Sequence, residues 1–103
     1  MEETVYIYAK KGIIIEGKAK LLERQFVYTA EGETFEIPFS EIRWIELDHT
    51  KTDSILVVSP ILAPVCRLYF RGERKNQRAQ AFFEALKNKI EKEGRKPSGF
   101  IYP

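Results

Sequence analysis

The segment DHTKTD sets the chain's one histidine, His49, between Asp48 and Asp53. An imidazole and two carboxylates can ligate a borderline metal ion, or serve as a base with orienting acids. All three lie in one polar loop with no second His or Cys near them. The expectation is therefore a surface histidine and no metal. Ser40, Ser54 and Ser59 lack the neighbouring base that a nucleophile needs. RGERKN has a single glycine and is no phosphate-cradling loop. The chain reads as a non-enzyme with no catalytic residue, metal or cofactor.

Cations are the other chemistry on offer. Lys10, Lys11, Lys18, Lys20 and Arg24 fall in Ala9 to Arg24, where five basic residues face two acidic ones. Several lysines around one loop raise the local anion concentration and could grip a phosphate or lipid headgroup. Alternate lysines on a solvated strand face also discourage edge pairing. Arg71, Arg74, Lys75 and Arg78 form a denser cluster, a candidate contact patch for phosphate or an acidic partner. It lacks the interleaved aromatic rings on which single strands stack, so nucleic acid is disfavoured. Between the two basic segments, Glu31 to Asp53 carries seven acidic residues against two basic. The net charge of +2 implies no polyanionic partner by itself.

PILAP, Pro60 to Pro64, adds an apolar candidate. Ile61 and Leu62 between two prolines could form an exposed contact tip for a protein or a membrane. The other reading is a loop folded over one end of the fold.

These residues must be positioned by one small domain. A chain of 103 residues has room for a single core. The expected division is a domain over 1–93 and a flexible tail over 94–103. Charged residues make up 31%, rich in Lys and Glu, a balance found in thermophile proteins. The lone Cys66 alternates with Leu68 and Phe70, which predicts a buried thiol and suits a reducing compartment. No apolar run approaches the roughly 20 residues of a membrane helix. The acidic, strand-like start is no signal peptide, so a cytoplasmic protein is expected.

Seven strands are expected. TVYIYA reads as the first, and a second runs from Ile13 to Glu23 with both faces apolar near Ile13 to Ile15. Gly17 inside it suggests a bulge or bend. QFVYTA and TFEIPF form a hairpin about Gly32, with Phe35, Ile37 and Phe39 inward. Pro38 cannot sit within a fully paired ladder, so the chain leaves the pairing there. IRWIEL resumes after Ser40-Glu41 with changed parity, by crossing to a second sheet or through a bulge. ILVVS and VCRLYF complete the set. The period then becomes helical: Ala79, Phe82, Phe83, Leu86 and Ile90 share one face. Asn76 is the expected N-cap, and Gly94 with Pro97 the stop. The whole predicts a mainly β fold, a partly open barrel or orthogonal sandwich plugged by the C-terminal helix.

FEIPFSEIRWIEL resembles a motif of the pleckstrin-homology-like superfold, in its GRAM-like and bacterial PH-domain branch. There a hairpin strand ends in Ile-Pro, a hydrophobic residue and an acid follow, and Ile opens the next strand. EGKAKLLERQFVYTAEGETFEIPF is similar to the family's glycine-led hairpin, with Ala19 and Leu21 at its leucine positions. LYFRGERKNQRAQAFFEALKNKI resembles its last strand, loop and capping helix. The resemblance spans Gly12 to Ile90. It implies a seven-stranded PH-like barrel. It also implies that Lys18, Lys20 and Arg24, with Lys10 and Lys11, correspond to the basic residues of lipid-binding members. The fold hosts many unrelated functions. The leading expectation is a non-enzymatic module that binds a protein or peptide, or self-associates into a homo-oligomer. The alternative is binding to an anionic membrane surface.

Overall fold

The computed structural model describes residues 1–8, 12–93 and the backbone of 99–101. Lys10, Lys11, Gly94 and Pro97 lie outside the described residues. Seven antiparallel strands follow the expected order: β1 (Glu2–Tyr8), β2 (Ile14–Leu21), β3 (Gln25–Ala30), β4 (Glu33–Pro38), β5 (Ile42–His49), β6 (Ser54–Pro60) and β7 (Cys66–Phe70). The helix α1 (Lys75–Lys92) follows them. A short β8 (Gly99–Ile101) lies in the stretch expected to be a flexible tail, and pairs in parallel with Trp44–Glu46.

The strands form one sheet in the order β4-β3-β2-β1-β7-β6-β5-β8. Two meanders, β1 to β4 and β5 to β7, join where Tyr6 stands opposite Tyr69. The sheet is not closed, because β4 is one edge and β8 the other. α1 packs on β5, β6 and β7 and reaches across to the other meander. Phe82 meets Phe26 of β3 edge-on at 6.3 Å and Phe70 of β7 at 5.9 Å. Each such buried ring stabilises the fold by about 1.5–3 kcal/mol, so one helical residue ties both meanders to a single core. Ala79, Phe82, Phe83, Leu86 and Ile90 are all buried, as their spacing predicts. Among the described residues no helix is long and apolar enough to cross a membrane.

Four local features differ from the sequence reading or refine it. The helix starts at Lys75, ahead of the predicted Asn76 cap. The residue before it, Arg74, turns the chain in the left-handed region at φ 57°. The parity change in β5 comes from a bulge between Ile42 and Trp44. That extra residue brings Ile42, Ile45 and Leu47 all into the core and leaves Trp44 half-buried. Ile13 and Ile14 are exposed, not covered on both faces.

Gly17 stays in register opposite Val5, so it marks no bulge in that ladder. A Cβ there would run into Tyr28 Oη and come 2.7 Å from the Thr29 carbonyl. Glycine lets the Tyr28 ring lie over the strand. Glu31 and Gly32 both take positive φ, 50° and 79°, the two left-handed residues that a tight hairpin between β3 and β4 requires.

Candidate functional site: an apolar groove beside a free strand edge

Among the described residues β4 pairs with β3 on one side only. Proline at its end is tolerated because an edge strand need not donate every N–H. Opposite partners share a face, so Tyr28 facing Phe35 and Phe26 facing Ile37 set Phe35 and Ile37 on the inner side of the sheet. The helix seals Phe26, but its reach ends there. Phe35, expected in the core, is 59% exposed.

The space in front of Phe35 is a groove of about 530 Å³. Phe26, Phe35 and Ile37 form one wall, and Ile7 and Tyr8 of β1 the back. Cys66, Arg67 and Tyr69 of β7, with Pro60, Ala63, Pro64 and Val65, complete the lining. Concave, largely apolar spaces of 300–1,000 Å³ are the usual form of a ligand site. Tyr8 and Tyr69 stack edge to face at 4.6 Å. Next to the rim, Leu62 is 94% exposed, and Ile61 and Val65 are also exposed. An uncovered leucine beside an apolar groove extends the contact surface rather than the core.

Cys66 contributes a thiol to this wall. Burial pushes its pKa up to about 11, so at neutral pH it is protonated. It packs there as a small apolar group.

The two basic sets fare differently from a shared surface. Lys18 donates to Thr4 Oγ1 at 2.6 Å, and Lys20 lies 3.6 Å from the Glu2 carboxylate. Both alternate with the buried Gly17, Ala19 and Leu21, so they stand on the outer face of β2. Arg24 is exposed in the β2–β3 turn.

The cluster after β7 is largely engaged within the fold. Arg71 Nε donates to the nearly buried Asp53 carboxylate at 2.5 Å, and its Nη2 donates to Tyr8 Oη. The same guanidinium lies over the Tyr6 and Tyr8 rings. Its pKa is raised first by the hydrogen bond it donates to Asp53. Arg78 pairs with Glu3 at 3.1 Å and donates to the Arg71 and Glu73 carbonyls. Lys75 Nζ donates to the Thr50 carbonyl and to Asn76 Oδ1, both at 2.8 Å. Arg74 alone of the four stands exposed. These bonds pin the β7–α1 loop to β1 and to the Thr50–Asp53 turn.

His49 sits half-buried at the end of β5, not in an open loop. Its partner chain can be derived by counting protons. Lys75 Nζ only donates, so the Asn76 atom it meets is the oxygen. Ser54 Oγ lies 2.6 Å from that same oxygen and must donate to it. The remaining 2.8 Å contact, between Ser54 Oγ and His49 Nδ1, then has the imidazole as donor. Nδ1 carries a proton and cannot take one from the serine, so the pair holds the β5–β6 turn against the helix start. Among the described residues no three His, Cys, Asp or Glu side chains gather as a metal needs.

No protein-family model matches this chain, and neither does a curated protein or a solved structure.

Proposed function

We propose that this chain is a non-enzymatic interaction module of PH-like architecture that binds a protein or peptide in the groove between β4 and the β6–β7 loop. The PH-like reading is supported by the order of parts: a four-stranded meander, a three-stranded meander and a helix packed across both. The binding reading is carried by one observation. An apolar groove of about 530 Å³ lies beside an edge strand and beside the bare side chain of Leu62. Apolar surface left open in a small domain is where a partner gains most by excluding water.

The test is recovery of a protein partner by the tagged chain and by its Phe35→Asp and Leu62→Asp variants. The reading expects a partner retained by the parent and lost by both variants. Equal recovery by all three would refute it.

Anionic headgroup binding is the weaker reading. Lys18 and Lys20 have partners on the outer face of β2, away from the groove. It expects salt-sensitive co-sedimentation with anionic vesicles, and indifference to vesicle charge would remove it.

A further inference from the structure

We infer that the free edge of β4 takes an added strand from its partner, an extended segment in which apolar residues alternate with lysine or arginine. This rests on the groove being the binding site, and it names what the groove is built to hold.

The geometry of β4 has two sides. Phe35 and Ile37 point to the groove, and Thr34 and Glu36 to the outer face. A strand laid along the edge has the same period, so its alternate side chains meet these two sets in turn. The inner set calls for apolar residues. The outer set and the hairpin call for cations. Glu36 lies on that outer face, Glu33 at the hairpin end on the groove side, and Glu31 in the hairpin turn, all exposed. The ion pairs found among the described residues, Lys20–Glu2, Arg71–Asp53 and Arg78–Glu3, involve none of them. An edge guarded by glutamates repels a second copy of itself, because antiparallel pairing would set acid near acid. It repels an anionic membrane for the same reason. A basic, apolar strand satisfies both sides at once. Pro38, without an N–H, ends the stretch that can accept it.

The experiment uses the full chain and short labelled peptides read by fluorescence anisotropy. One peptide alternates valine with lysine, a second alternates valine with glutamate, and a third is the lysine peptide interrupted by proline. Saturable binding of the lysine peptide is expected, about tenfold tighter than the glutamate peptide, as several weak exposed charge pairs sum. The proline peptide should lose binding, because it cannot complete the ladder. The double variant Glu33→Lys/Glu36→Lys should reverse the order of the two charged peptides. Both sites are exposed, and an unchanged melting temperature verifies the variant's fold.

Equal binding of the two charged peptides overturns the inference. So does retained binding of the proline peptide, or a concentration-dependent dimer that occupies the edge. If groove-dependent partner recovery persists while the peptides show no preference, the added strand is refuted and the groove stands. If partner recovery ignores Phe35→Asp, both fall.

Discussion

Phe35 stands directly opposite Tyr28 in the β3–β4 ladder, yet Tyr28 is 1% exposed and Phe35 59%. The two rings share a face of one sheet and differ in what covers them. Tyr28 lies over Gly17 within the covered part of the sheet, whereas nothing among the described residues caps Phe35. The line between them is where the core ends and the groove begins. Phe35→Asp therefore removes little packing and is expected to change stability by less than about 1 kcal/mol. Chemical denaturation measures that, and a loss as large as a core Phe deletion would move Phe35 back into the core.

Gly17 carries the opposite expectation. A methyl group there collides with the Tyr28 ring and, at 2.7 Å, with the Thr29 carbonyl, which cannot swing away. Gly17→Ala should cost about 1–3 kcal/mol, read from urea midpoints. Tyr28→Phe removes a buried hydroxyl that has no partner among the described residues, and should cost almost nothing. A neutral Gly17→Ala would contradict the close approach.

The Arg71–Asp53 pair is structural and partly buried. Removing the arginine strands a carboxylate that is nearly inaccessible, so Arg71→Met should cost about 2–3 kcal/mol. The double variant with Asp53→Asn should cost less than the sum of the two single changes. A double-mutant cycle measures this coupling, and additive losses would mean the pair contributes nothing.

Alkaline pH should weaken the fold through Cys66. Its thiol goes from an ordinary 9.0 to about 11 on burial, so the folded state holds its proton longer. The contribution is whole below pH 9 and is lost as pH rises from about 9 to about 11, by about 2–3 kcal/mol. Burial also raises the Tyr28 phenol, which acts in the same direction above its ordinary 10.0. Cys66→Ala should flatten the alkaline fall in melting temperature. A slope equal to that of the parent would assign the loss elsewhere.

The fold was legible where a period repeats. The helical face of Phe82, Phe83, Leu86 and Ile90 was evident from spacing, because burial on one side writes itself into sequence. The helix start was not, because Arg74 opens it without a side-chain cap and the Asn76 amide is turned to Ser54 and Lys75. β8 is three residues long and has no period to read. The basic cluster misled for a different reason. Arg71 and Arg78 look free in RGERKNQR, but Tyr8 and Glu3, which hold them, lie 63 and 75 residues away. The apolar tip at Ile61 and Leu62 could be named from its prolines. The groove could not, since Phe35 and Ile37 alternate like any inward pair and only the extent of the helix decides which is covered.

The most direct test of the groove as binding site is photocrosslinking from position 35, with a benzophenone side chain replacing Phe35. A second chain carrying the same group at the exposed Asn88 on the helix serves as the comparison. The account predicts a partner adduct from position 35, competed by the alternating valine–lysine peptide, and none from position 88. Adducts from position 88 alone, or equally from both, would contradict it.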